Sequence, residues 1–326
     1  MELFRKKKDM SKYDKYDFAS DDLELILTQK CNFTCEHCMR GECSNKEITE
    51  DVLDATFKKF IYIENLALGG GEIALAPHLV RLVTKKLKEN DVVIHHVNFT
   101  SNGTIVSDEL LSALKELEDY IHSCDERSHL FKYDAKQKNV PMFVCFSFDD
   151  YHLNQMIKKG ITLEDLFDNI AKYQKVFGTE AIECRMESDM DVYDAGRAST
   201  LPSSSNKVSI EKMLRLPYPF IDLKNEAVLI GNVITISCDG EVIPPNIPFA
   251  KESELSFGNV KTVSNGTLLS NLNAYETNGN GYNKSKVQMY KAMTAPKKLQ
   301  KRYHKVLSYK LNKFYEMLEE ACQRQQ

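Results

Sequence analysis

The stretch Cys31-Asn-Phe-Thr-Cys35-Glu-His-Cys38 combines residue types and spacing that suit metal chemistry. Three residues separate the first two thiols and two separate the second pair. Thiolates on one short loop can wrap the corners of a four-iron, four-sulfide cubane. Three Cys leave one iron without a protein ligand; an electron-transfer cluster usually has four, whereas an open iron can bind a substrate or cofactor. The competing readings are a zinc site and three unconnected thiols. A structural zinc wants four nitrogen or sulfur ligands, so His37 or Cys43 would have to join, and no second paired-Cys knuckle follows.

A second signal is Leu68-Gly69-Gly70-Gly71-Glu72. Glycines let a backbone approach a ligand closely, and a carboxylate there can accept a bond from an ammonium group. Further candidates are Asn102, in Asn98-Phe-Thr-Ser-Asn102-Gly103, and Ser147, in Phe143-Val-Cys145-Phe-Ser147-Phe-Asp149. A strand-end cap or turn explains either residue as well as a binding role does. Glu183, Arg185 and Glu187 alternate with Ile182, Cys184 and Met186, so the charges share one strand face and must be paired or solvated. His95, His96 and His152 are structural by default, and Cys43, Cys124 and Cys322 are ordinary thiols.

These residues fall at the ends of strands that alternate with helices. Strands are expected over residues 23–27, 65–69, 91–100, 142–148 and 181–186. Between them, helical periodicity runs from Thr49 through Phe60 and Ile61, then over 79–87, 107–117 and 162–177, the last capped by Thr162. Residues 119–139 read as a surface insertion. Repeating units of this kind argue for a parallel β/α architecture, which places reactive groups at the carboxyl ends of its strands. Past a flexible link at 201–207, residues 233–238 and 241–243 read as a hairpin around Asp239-Gly240. Residues 271–284 are rich in Asn and Gly, and a basic helix is expected from Pro296 to about Cys322.

The Cys spacing, followed one helix and one strand later by Gly-Gly-Glu, resembles the radical S-adenosylmethionine superfamily. Its signature usually has an aromatic residue before the last Cys, where this chain has His37, and Pro after the Glu, where this chain has Ile73. The resemblance implies a partial (β/α)6 TIM-like barrel over residues 21–200, after a lead-in at 1–20 and before a C-terminal α+β extension at 201–326. It implies that Cys31, Cys35 and Cys38 hold a 4Fe-4S cluster, and that S-adenosyl-L-methionine completes the open iron. Gly70, Gly71 and Glu72 would meet the cofactor's amino group, with Asn102, Ser147 and Arg197 as further cofactor contacts; Ala195-Gly-Arg197-Ala is similar to a segment of the peptide-modifying branches. The hairpin, with Gly258-Asn259-Val260, is similar to the start of a SPASM or twitch extension, but the Cys left after it are too few for an auxiliary cluster. The implied activity is reductive cleavage of the cofactor to a 5'-deoxyadenosyl radical that abstracts a substrate hydrogen. Its implied partners are a peptide, or alternatively a small molecule or nucleotide, and an electron donor such as flavodoxin or ferredoxin; a non-catalytic metal-binding protein is the rival class.

The whole chain is compatible with this. Its 326 residues are 42% hydrophobic and 28% charged, with a formal net charge of -4 and nine Cys. That balance gives no sign of a nucleic-acid binder. Free thiols suit a reducing compartment, and no apolar run is long enough for a membrane span, so a cytoplasmic protein is expected.

Overall fold

The computed structural model describes residues 9–128, 140–185, 192–202, 207–208, 217–222 and 227–274. Chain contacts separate one unit, Phe4–Tyr275, from a second made of Met1–Leu3 and Glu276–Gln326, and every described residue lies in the first. The expected helix from Pro296 to Cys322, residue Glu187, residues 203–206 of the link and residues 275–284 lie outside the described residues.

The alternation is observed as β1 (Asp17–Thr28), α1 (Glu50–Phe57), β2 (Phe60–Gly70), α2 (Pro77–Glu89), β3 (Val93–Ser101), α3 (Asp108–Ser128), β4 (Met142–Ser147), α4 (Asp150–Lys159), α5 (Leu163–Phe177) and β5 (Ile182–Arg185). Two short strands, β6 (Val192–Tyr193) and β7 (Lys207–Val208), pair apart from the main sheet. Then come β8 (Tyr218–Asp222), β9 (Ala227–Ile236), β10 (Val242–Ile243) and α6 (Asn265–Ala274). Strands β9-β1-β2-β3-β4-β5 are parallel in that spatial order, and β8 and β10 pair antiparallel with β9. This is a partial TIM-like barrel whose sixth parallel strand comes from the C-terminal region and joins the open edge of β1.

Register divides the sheet into two chemically distinct faces. Leu23, Leu66, Val97 and Met142 form one row, and Leu25, Leu68, Phe99 and Val144 the next. All are 0–1% exposed. Helices α1 and α3 lie on this face with α2 between them. The opposite face carries Asp22, Asn65 and His96 in one row and Glu24, Ala67, Asn98 and Phe143 in the next, all only half-buried. Alternation at period two thus puts the oil outside, under the helices, and the polar groups on the inner face.

Several boundaries differ from the sequence expectation. β1 starts at Asp17, ahead of its apolar run, because parallel pairing with β9 and β2 carries the polar Ser20, Asp21 and Asp22 within the strand. Phe60 and Ile61 belong to β2 rather than to the first helix, since apolar spacing near a junction fits either period. Thr49 occupies the N-cap of α1, yet its hydroxyl bonds the Asp51 carboxylate instead of the backbone. α3 continues to Ser128 through the expected insertion, because Tyr120, Ile121 and Cys124 extend the buried stripe of Leu110, Leu114 and Leu117. α4 was not expected. Thr162 caps α5 in a reciprocal capping box with Asp165, and the hairpin turns at Gly240 with φ +89°.

Candidate functional site

The Cys loop leaves the carboxyl end of β1, and the ends of the next three strands close around it. Cys35 is buried, whereas Cys31 and Cys38 are half-buried; all three are free thiols. Their own backbone forms part of the wrapping: the Cys38 amide donates to the Cys35 carbonyl (3.2 Å) and the Gly41 amide to the Cys38 carbonyl (3.3 Å).

Arg197 secures the loop from outside. Its Nε donates to the Cys35 carbonyl (2.9 Å), its Nη1 to the Gly41 carbonyl (2.6 Å), and its backbone amide to the Cys38 carbonyl (3.0 Å). Gly196 has φ +55°, and a Cβ there would meet the Met39 carbonyl oxygen at 2.4 Å. The Gly-Arg pair is therefore seated directly on the loop, with the guanidinium spent on loop carbonyls. Cys43 lies in the same corner, its thiol directed at the Phe33 carbonyl (3.8 Å). A hydrogen bond with Cys31 lowers the Cys43 thiol despite burial, with help from Arg197. That same bond and burial push Cys31 up, and burial pushes Cys35 up to about 12.

β2 ends in the Gly-Gly-Glu turn, which is hydrogen-bonded to the start of the loop. The Gly71 amide donates to Thr28 O and the Glu72 amide to Lys30 O, each at 2.7 Å. A Cβ on Gly71 would meet that Lys30 oxygen at 2.0 Å, and one on Gly70 the Thr28 oxygen at 2.2 Å. Here the glycines serve a close approach of backbone to backbone. Glu72 is 1% exposed. Its Oε1 accepts from the Ala74 amide (3.1 Å) and Ser101 Oγ (2.9 Å), and its Oε2 from the Asn102 amide (2.8 Å). Burial pushes this carboxyl up while those donors hold it down. Of the four lone-pair positions on a carboxylate, three are filled by donors among the described residues.

β3 contributes Asn102, whose Nδ2 donates to Asn32 Oδ1 (2.8 Å) inside the Cys loop while its Oδ1 accepts from Thr104. β4 ends at the half-buried Ser147, paired in register with Arg185. Beyond it, Asp149 caps α4 by accepting the His152 amide (3.0 Å) and is 2.7 Å from His152 Nδ1 and 3.4 Å from His37 Nε2. Burial pushes Asp149 up, but the two imidazoles outweigh it and hold the carboxyl well below its ordinary range. His37 stacks on Tyr151 with ring centroids 4.5 Å apart, and its buried Nδ1 has no partner among the described residues. Gln155 of α4 accepts from both the amide and hydroxyl of Thr34, each at 3.2 Å.

The structure therefore brings Cys31, Cys35, Cys38, Gly70, Gly71, Glu72, Asn102 and Arg197 into one bonded network. Sequence reasoning missed the Asp149, Tyr151, His152 and Gln155 side of it. Its signal was present: Asp149 and His152 have the spacing of an N-cap and its third residue, which would have announced α4.

Three soft thiols on one loop, with an Arg beside them, match an iron–sulfur cluster. Among the described residues, the groups whose ligand atoms all lie within 4.8 Å of one another are His37/Asp149/His152 and Glu64/His95/His96. The three loop thiols do not form such a group, whereas sulfurs around a single tetrahedral zinc would lie about 4 Å apart.

Comparison with known proteins agrees. Residues 25–123, from β1 through the Cys loop into α3, match the family model described as "Radical SAM superfamily". That family works with a 4Fe-4S cluster and S-adenosylmethionine. A "Probable GTP 3',8-cyclase" of Sulfurisphaera tokodaii is 33% identical over 128 residues, covering 36% of this chain and 39% of the relative. A "GTP 3',8-cyclase" of Lactiplantibacillus plantarum is 29% identical over 111 residues, 32% of each chain. The chain thus matches only about a third to two fifths of the length of these curated relatives. A solved structure described as "Native anSMEcpe with bound AdoMet and Cp18Cys peptide" aligns over 85% of this chain and 86% of its own, at 12% identity and a TM-score of 0.46. Among the described residues no helix is long and apolar enough to cross a membrane.

Proposed function

We propose that the protein is a radical S-adenosylmethionine enzyme in which Cys31, Cys35 and Cys38 ligate three irons of one 4Fe-4S cluster. The observation that carries this reading is the bonded network joining the three-Cys loop to the ends of β2, β3 and β4. When bound, the cluster and cofactor supply a one-electron reductive cleavage that yields methionine and a hydrogen-abstracting 5'-deoxyadenosyl radical.

The chain's own residues orient and shield. Arg197 and Gly196 hold the loop closed behind the thiols, and the guanidinium offsets thiolate charge. The Glu72 carboxylate and the carbonyls beside Gly70 and Gly71 face a cofactor ammonium, and Asn102 holds Asn32 of the loop in place. His37, stacked on Tyr151 and tied to Asp149, presents a flat surface where the family usually has another aromatic ring. Ser147 marks the β4 end of the same mouth. Burying this ring of groups keeps water from a reactive radical.

The substrate reading is a peptide or protein segment, and the electron comes from a small donor protein such as a flavodoxin or ferredoxin in the cytoplasm. The name of the curated relatives, GTP 3',8-cyclase, favours a second reading, a nucleotide substrate. Anaerobic reconstitution tests the site itself: about four irons and four sulfides per chain, with a reduced-cluster electron paramagnetic resonance signal that changes when S-adenosylmethionine is added. A chain that retains only zinc, or a cluster whose signal ignores the cofactor, contradicts the reading.

A further inference from the structure

The inner face of the barrel sheet presents a row of polar groups with an unmet electrostatic demand. Asn65 Nδ2 donates to Asp22 Oδ1 (2.6 Å), and Asn98 Nδ2 donates to Asn65 Oδ1 (2.7 Å). This chain of bonds therefore runs diagonally across β1, β2 and β3, from the row of Asp22 and Asn65 to Asn98 in the next, with both amides aligned toward the carboxylate. Among the described residues no cation lies within ion-pair distance of Asp22. In the row of Asn98, nearer the Cys loop than Asp22, Glu24 is paired: Arg40 Nη2 is 2.5 Å from its Oε1, and Thr235 Oγ1 donates to its Oε2 at 2.7 Å. Arg40 spends its Nη1 on the Ile247 carbonyl (3.1 Å), so this cation is committed at both nitrogens.

These side chains are half-buried, and Thr100 on the same face is exposed, in the middle of a sheet whose opposite face is sealed. A carboxylate in such a place is costly to leave unpaired, and its partial desolvation strengthens any charge that meets it. A polyphosphate would face two carboxylates and one cation already in use.

We propose that the hydrogen-bonded chain Asp22–Asn65–Asn98 is a substrate subsite that takes a cationic side chain, lysine or arginine, of a peptide. The ammonium or guanidinium donates to the outer oxygen of Asp22, and the Asn65–Asn98 relay fixes the orientation of the carboxylate that receives it. The subsite lies on the inner face of the strands whose ends carry the Cys loop and the Gly-Gly-Glu turn. This deepens the peptide reading above and rests on it, and it argues against a nucleoside triphosphate at the same place.

The test is direct binding without turnover. Saturation-transfer NMR is recorded on the full chain with acetyl-Gly-Lys-Gly-amide, the same peptide carrying norleucine for lysine, and GTP. The expected result is transfer to the lysine side-chain protons, a weak or absent signal for the neutral peptide, and a loss of about fivefold in Asp22→Asn, the size of one partly exposed charge-assisted bond. Equal signals from the lysine and norleucine peptides, an undiminished signal in Asp22→Asn, or stronger transfer to GTP overturns the proposal. Comparing the two peptides on the native chain keeps the test decisive even if the variant misfolds. No reductant or radical is involved, so failure here is separable from failure of the enzyme reading: a chain that cleaves S-adenosylmethionine can still reject the lysine peptide.

Discussion

At the scale of single residues, the loop's geometry depends on contacts too close for substitution. Gly71→Ala drives a methyl group into the Lys30 carbonyl, where a Cβ would sit 2.0 Å from the oxygen. Gly196→Ala adds a Cβ in left-handed backbone against the Met39 carbonyl. Each is expected to destabilise the fold by about 2 kcal/mol or more, read as a lower midpoint in denaturant unfolding. Arg197→Lys keeps the charge but loses the two-nitrogen reach to the Cys35 and Gly41 carbonyls. Iron retained after reconstitution is expected to fall about twofold in that variant, because lysine is a point donor and not a fork. Unchanged iron would show that the guanidinium does not hold the loop. The three Cys were legible because their spacing is local. The roles of Glu72 and Arg197 were only partly so, since neither the filled lone pairs of the one nor the loop carbonyls bound by the other are visible in a linear reading.

At the scale of elements, the strands and helices that bury one continuous apolar face were readable, and the exceptions have local causes. α4 was missed because Tyr151, Leu153 and Ile157 give it a weak stripe, and Ile157 is 74% exposed. The capping box at Thr162 was readable, and Thr162→Ala is expected to cost about 1 kcal/mol, measured by chemical denaturation. The C-terminal hairpin was read as an extension, whereas β9 pairs along most of β1, a long-range partnership that no local pattern announces. This region also reaches the Cys loop. Glu252 is 5% exposed, accepts a bond from Gln29 Nε2 at 3.4 Å, and has an Oε1 with no partner among the described residues.

Burial pushes the Glu252 carboxyl up to about 7 from 4.5. The folded state therefore holds a proton that the unfolded chain has already released, and stability from this group is full below about pH 4.5 and lost as pH rises through about 7. Glu252→Gln is expected to raise stability by up to ~3 kcal/mol at pH 8.5 and by little at pH 4.5. Thermal unfolding of variant and native chains at both pH values checks this; an equal gain at both would contradict it.

At the scale of the whole molecule, a sheet with oil on its helix-covered face and polar groups on its inner face suits a barrel that must admit a substrate while protecting a reactive centre. Sequence alone indicated a parallel β/α barrel because each strand is followed by a turn signal and a helical stripe. It could not show that Asp22, Asn65 and Asn98, drawn from three separate strands, meet in one chain of hydrogen bonds. Nor could it show that the ends of β1 to β4 are bonded into one ring around the loop.

The central claim is that this ring holds a cluster able to cleave S-adenosylmethionine. The most direct measurement is 5'-deoxyadenosine formed by the anaerobically reconstituted full chain with dithionite and S-adenosylmethionine, compared with Cys35→Ala. The account predicts 5'-deoxyadenosine that requires the reductant and is absent from the variant. A chain that carries its cluster, undergoes reduction and still forms none would contradict it.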